Sequence, residues 1–170
     1  TPVDLGILPY VIREVNGIRV GIIGLSTTST PTTTKPENVA GFEFIDYEEA
    51  LREIVPLVQA EGAQLIVVPG HVCRVELVQL ARQIADLGVH MLGGGHCNEL
   101  FVEQVGDILV LEGGDSLASY AMGRFAVDPD SGTVELLDSA TRLNNAGVAD
   151  PAIDEVIMRW LIEAEAELNN

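Results

Sequence analysis

Residues 64–98, QLIVVPGHVCRVELVQLARQIADLGVHMLGGGHCN, decide the fold of this chain. The apolar run LIVVP predicts a buried strand, and GHVCR predicts the loop that follows it. A helix is expected from about Val75 to Ala85, because apolar residues recur there at helical spacing. VHML then predicts a short strand that ends at a glycine-rich turn. This strand–helix–strand order is typical of a parallel pair of strands and indicates an α/β fold.

The residues on the N-terminal side add a hairpin, a polar loop and a helix. An Asn-Gly pair at 16–17 separates the β-rich runs of residues 11–25, which predicts a hairpin. The polar stretch at 26–36, STTSTPTTTKP, predicts an exposed loop that flanks a site. A helix capped by Asp46 is expected to continue to about Ala60.

The C-terminal side changes to antiparallel character. FVEQV and ILVLE, around the turn at 106–107, predict one hairpin, and the runs on either side of residues 129–132 predict a second. Residues 144–150 are expected to form a linker. Pro151 at the first helical position predicts a final helix. The fold class is therefore α/β, with βαβαβ order followed by antiparallel strands and a C-terminal helix.

Composition limits the classes of function. The 170 residues (18.2 kDa) are 47% hydrophobic, so the chain can bury a core and is not disordered as a whole. With 26 acidic and 9 basic residues, the net charge is −17, which argues against a nucleic-acid groove and a basic membrane-surface helix. A small anionic substrate would need local help from a metal cation. The sequence predicts neither a membrane span nor a signal peptide.

Two histidines follow apolar strands at equivalent positions. His71 follows LIVVPG, and His96 follows VHMLGGG. Ligands collect beyond the carboxyl ends of parallel strands, so these loops are expected to lie side by side. Asn98 offers an amide oxygen two residues later, and imidazole nitrogen and amide oxygen can both bind a metal ion. The predicted metal ligands are therefore His71, His96 and Asn98, although a histidine after a strand can also be an ordinary loop residue. His90 is expected to be a face or edge residue of its strand.

The two cysteines leave alternatives open. Cys73 and Cys97 could form one disulfide, or could be two buried, inert thiols, which is the favoured interpretation. A Cys₂His₂ zinc site with His71 and His96 is a third interpretation, but its spacing matches no common zinc module. The chain has no phosphate-binding glycine loop and no G-x-S-x-G nucleophile motif. No catalytic residue is assigned.

Four segments together resemble a known family. PYVIREVNGIRVGIIGL, KPENVAGFEFID, QLIVVPGH and VHMLGGGHCN occur in this order. They are similar to the second half of the metallophosphoesterase domain of 5′-nucleotidases, UDP-sugar hydrolases and 2′,3′-cyclic-nucleotide phosphodiesterases. The most specific element is the G-G-H-x-[HQN] turn, in which His96 and Asn98 match the ligand positions. His71 matches the lone metal-binding histidine upstream.

The resemblance implies half of a four-layer αββα sandwich that holds two divalent ions of the Zn, Mn, Mg or Ca class. Residues 1–143 would be the C-terminal half of that domain, and residues 144–170 would be a linker and helix leading toward a second domain. The family's Asp-x-His, bridging Asp and Asn-His-Glu motifs do not occur in the 170 residues. Two close cations repel without a bridging carboxylate, so this chain is expected to hold at most one ion weakly.

The expected function is a half-domain of a di-metal phosphoesterase acting on nucleotide-type phosphate esters, inactive alone. Its partner would be the missing N-terminal half or a second copy of the chain. The alternatives are a non-catalytic fragment or interaction module, and a relative that hydrolyses sulfur-bound esters. Periplasmic or extracellular location is implied by the resemblance.

Overall fold

The computed structural model describes residues 6–145 and 147–168. Residues 1–5, residue 146 of the predicted linker and the last two residues lie outside this description. The strands are β1 (Tyr10–Val15), β2 (Ile18–Ile23), β3 (Leu25–Ser26), β4 (Leu65–His71), β5 (Met91–Gly93), β6 (Leu100–Val105), β7 (Ile108–Gly113), β8 (Ser119–Val127) and β9 (Val134–Leu143). The helices are α1 (Thr30–Thr33), α2 (Pro36–Val39), α3 (Tyr47–Ala60), α4 (Arg74–Gln83) and α5 (Pro151–Leu168).

The main sheet is mostly parallel. Its order is β1-β2-β4-β5-β7-β6, with β3 paired to β4. The strands β2, β4, β5 and β7 run parallel to their neighbours in this series, whereas β1 and β6 pair antiparallel at the two edges. The strands β8 and β9 form a separate antiparallel pair. The predicted mixed α/β class, with antiparallel strands and a C-terminal helix, is confirmed.

The predicted hairpins are confirmed by their turn geometry. Asn16 and Gly17 have φ values of 51° and 80°, the left-handed conformation that a two-residue Asn-Gly turn requires. β1 and β2 pair in register on either side of this turn. The second predicted hairpin is β6–β7, and the third is β8–β9.

The polar stretch at 26–36 differs from its prediction as a plain loop. It contains the single-turn helix α1, and α2 begins at its last residue. Pro31 lies in the first turn of this short helix, and Thr30 Oγ1 and Thr32 Oγ1 donate to Thr27 O and Ser29 O. The stretch does begin beside a predicted ligand, since Ser26 pairs with His71.

The hydrophobic core lies between the sheet and helices α3 and α4. Asp46 caps α3 as predicted, with Oδ1 accepting hydrogen bonds from the amides of Glu48 and Glu49 at 2.8 and 3.3 Å. The buried side chains of the core come from both helices and from the sheet strands: Leu51, Val55, Val58, Leu77, Leu80, Ala81, Ile66, Val68 and Leu92. β2 approaches α3 so closely that a Cβ on Gly21 would lie 2.3 Å from Val58 Cγ1.

The C-terminal helix α5 has a different environment. Every one of its residues is exposed, and Trp160 retains 60% of its accessible surface. Asp150 caps the helix, since its Oδ1 accepts a hydrogen bond from the amide of Ala152 at 2.9 Å. Among the described residues, no helix is long and apolar enough to cross a membrane.

Candidate metal centre

The two predicted histidine ligands meet at the carboxyl edge of the parallel sheet. β4 ends at His71, and β5 ends just before the turn that carries His96. The strands pair in parallel, with Pro69 opposite Gly93, so both loops leave the sheet at the same edge. His71 Nε2 lies 2.9 Å from His96 Nδ1, and the ring planes are inclined by 70°. The predicted neighbourhood of the two loops is confirmed.

Asn98 shares the turn with His96 but does not join the ring pair. His96 has a φ of 74° and Asn98 a φ of 57°, so both residues occupy the left-handed region that L-amino acids rarely adopt. In residues 6–145 and 147–168, no hydrogen bond connects the Asn98 side chain to either imidazole. The structure therefore brings two of the three predicted ligands into contact and places the third on the same strained turn.

A disulfide joins Cys73 to Cys97, with their Cα atoms 5.2 Å apart. The favoured interpretation of buried, inert thiols is wrong, and so is the Cys₂His₂ zinc site, because each sulfur is bonded to the other. Cys97 is also exposed rather than buried. The signal in the sequence was the position of each cysteine beside a histidine, in two loops that were themselves expected to be neighbours.

Glu112, which sequence reasoning did not assign to the site, lies beneath the histidine turn. Its side chain is only 2% exposed, and Oε1 accepts a hydrogen bond from the amide of Glu99 at 3.1 Å. Oε2 has no hydrogen-bond partner in the described part of the chain. Burial raises the pKa of this carboxyl, and hydrogen bonds from the amides of Glu99 and Asn98 oppose that rise. A Cβ on Gly94 would lie 3.0 Å from Oε2, so the turn rests directly on this side chain.

His90 stands apart from the histidine pair, as a structural residue just before β5. Its Nδ1 accepts a hydrogen bond from the amide of Ile66 at 3.0 Å. Burial lowers the pKa of this imidazole. The ring therefore connects the start of β5 to β4, which agrees with the predicted face or edge position.

The histidine pair fits part of a metal centre. Two imidazole nitrogens from different loops converge, and imidazole is a common donor to divalent transition metals. A Cβ on Gly95 would lie 3.4 Å from Gly70 O and 3.6 Å from His71 Nδ1, so a glycine lets the two loops touch. Within the described residues, however, no group of three or more His, Cys, Asp or Glu side chains is placed to hold an ion. The two imidazoles are therefore suitable metal donors, but two donors are too few to complete a metal site.

No protein-family model matches the sequence. The chain is similar to the 5′-nucleotidase of Vibrio cholerae, with 32% identity over 102 residues, which cover 54% of this chain and 18% of that protein. It is also similar to the snake venom 5′-nucleotidase of Naja atra, with 35% identity over 92 residues, which cover 54% of this chain and 17% of that protein. The chain therefore spans less than a fifth of the length of these curated relatives.

The fold is shared more widely than the sequence. The crystal structure of the calcineurin-like phosphoesterase YfkN from Bacillus subtilis superposes with a TM-score of 0.76 at 19% identity, over 95% of this chain and 59% of that one. At this identity the likeness concerns the fold. The chain is therefore similar in sequence to 5′-nucleotidases over about half of its length, and it shares its fold with a calcineurin-like phosphoesterase.

Proposed function

We propose that the chain supplies part of a di-metal phosphoesterase site, in which His71 and His96 bind a divalent ion and Asn98 is a third ligand. The observation that carries this proposal is the 2.9 Å contact between His71 Nε2 and His96 Nδ1. The contact lies at the sheet edge where α/β folds place their ligands. The family relationship adds a reason to expect phosphate-ester chemistry there.

The two imidazoles would act as neutral ligands. When bound, divalent ions in such a site provide an activated water and positive charge for the phosphoryl oxygens. The ion would also supply local positive charge for a small anionic phosphate ester, which the net charge of −17 otherwise repels.

In the part of the chain that the structure describes, the site lacks the negative charge that a pair of ions needs. Two imidazoles and an amide are all neutral donors. Glu112 is buried beneath the turn, with one oxygen occupied by the Glu99 amide. We therefore propose that the chain alone binds at most one ion weakly and hydrolyses no ester. Carboxylate ligands from the other half of the domain would complete the site.

The disulfide and the family relationship support a periplasmic or extracellular location. Disulfides persist in oxidising compartments and are rare in the cytosol. The Cys73–Cys97 bridge is therefore the feature of this chain that supports an exported location.

The proposal is tested by titrating the chain with Co²⁺, whose visible spectrum reports the ligands. We expect weak binding that is abolished by His71→Ala or His96→Ala and weakened by Asn98→Ala. His90→Asn is the matched control, because asparagine Oδ1 can still accept from the Ile66 amide. Co²⁺ binding that survives both alanine substitutions would overturn the metal site. Hydrolysis of p-nitrophenyl phosphate by the chain alone would overturn the proposal that its site is incomplete.

A further inference from the structure

The Cys73–Cys97 disulfide connects the two segments that carry the histidine pair. Cys73 lies two residues after His71, and Cys97 follows His96 directly. The bond therefore runs between the β4–α4 loop and the turn after β5, beside the contact of the two rings. Neither sulfur takes part in the chemistry proposed above.

The turn after β5 is strained on both sides of Cys97. His96 and Asn98 have φ values of 74° and 57°, and such backbone conformations persist in L-residues where the surroundings impose them. Cys97 itself lies between these residues and is anchored covalently to the other loop. The same segment is also tied to that loop by the hydrogen bond from the Gly95 amide to Val72 O, at 3.2 Å.

We propose that the Cys73–Cys97 disulfide is a positioning element of the histidine pair, and that metal affinity depends on whether the disulfide is intact. The bond holds His96 in the left-handed turn that presents its Nδ1 to His71 Nε2. Without the bond, the turn is free to relax toward ordinary φ values and the imidazoles separate. The part of this proposal that concerns metal rests on the proposed function, whereas the contact between the rings does not.

The bond is open to reduction because Cys97 is exposed. A water-soluble phosphine breaks the sulfur–sulfur bond and is itself oxidised to the phosphine oxide. The oxygen comes from water, and the two protons of that water convert the sulfurs to thiols. The reaction therefore transfers two electrons to the disulfide and leaves no thiol reagent to bind the metal.

The test compares the oxidised chain with the Cys73→Ser/Cys97→Ser double variant in Co²⁺ titrations. We expect the affinity of the double variant to fall by about 10- to 100-fold, the range typical when a group that orients a metal ligand is lost. Asp46→Ala is the control, since it removes a helix cap far along the chain and lowers stability without touching either loop. Equal affinity in the double variant, or an equal loss in the control, would overturn the proposal.

Nuclear Overhauser effects between the rings of His71 and His96 provide a second readout that needs no metal. We expect cross-peaks in the oxidised chain and their loss in the double variant. If neither form binds Co²⁺, the proposed metal site fails, and the ring cross-peaks alone decide the role of the disulfide. If the double variant does not fold, the phosphine-reduced chain takes its place in this measurement. Cross-peaks that persist without the disulfide would contradict the proposal.

Discussion

Glu112 shows how one buried side chain can support a turn that carries a predicted ligand. Its Oε1 accepts from the Glu99 amide, and Glu112→Ala would leave that partly buried N–H unpaired. We expect Glu112→Ala to lower the free energy of unfolding by about 1–3 kcal/mol. Glu112→Gln retains an oxygen acceptor and removes the buried charge, so it should be less destabilising. Urea unfolding at neutral pH measures both variants, and equal losses would show that the hydrogen bond is unimportant.

His90 predicts a pH dependence of stability. Burial lowers the pKa of its imidazole in the folded state, whereas the unfolded chain takes up a proton near pH 6.5. Stability from the neutral ring should therefore be lost as pH falls below about 6.5, because the unfolded state then binds more protons. The stability advantage of the native chain over His90→Asn, measured by urea unfolding, should shrink between about pH 7 and pH 5. A constant difference would contradict this assignment.

At the site, the sequence predicted the two histidines that follow strands, but not the disulfide or the glutamate that hold their loops in place. His71 and His96 were expected to be neighbours because parallel strands align their carboxyl ends. The disulfide stayed one of three alternatives, since sequence separation does not reveal a Cα distance of 5.2 Å. The place of Glu112 at the site could not be predicted, because one carboxylate among 26 acidic residues has no distinguishing sequence pattern. Only the fold shows that it lies under the turn.

At the scale of elements, the contact of β2 with α3 is tight enough to test. A Cβ on Gly21 would lie 2.3 Å from Val58 Cγ1 and 3.1 Å from Ala63 Cβ. We expect Gly21→Ala to cost about 1–3 kcal/mol of stability, because strand and helix must move apart. Gly24→Ala is the matched control, since nothing lies within 4 Å of its added Cβ. Thermal or urea unfolding that is equally affected by both substitutions would contradict the packing argument.

The elements with strong local signals were the ones predicted well. The Asn-Gly hairpin, the Asp46 cap and the alternation of strand and helix all carry their own sequence patterns. The stretch at 26–36 was predicted only as a loop, because serine and threonine favour turns and helix caps about equally. Its short helix is accompanied by hydroxyl-to-carbonyl bonds that the order of residues does not specify.

At the scale of the whole molecule, a net charge of −17 on 170 residues should oppose compactness. Raising the ionic strength from about 0.01 M to about 1 M shortens the Debye length from about 30 Å to about 3 Å, and should raise the urea midpoint of unfolding. The gain should be smaller near the isoelectric point of about 4.2, where net repulsion vanishes. A gain of the same size at both pH values would indicate a general salt effect on apolar burial.

The fold class was predictable from the order of strand and helix patterns, and the resemblance to 5′-nucleotidases came from four short segments in a specific order. The metal ligands and the half-domain arrangement remain predictions. The matched relatives are much longer than this chain, which covers 18% and 17% of their lengths.

The exposed position of α5 decides what optical spectroscopy of this chain can detect. Trp160 is the single tryptophan and lies on that helix, 60% exposed. Tyr47, by contrast, is 9% exposed and is held by Thr27, Thr28 and Glu76 through its hydroxyl group. Indole emission therefore follows the surroundings of α5, whereas the contribution of Tyr47 to near-ultraviolet dichroism follows the core. Melting curves from the two chromophores need not coincide, and a gap between them would report the helix rather than an intermediate of the sheet.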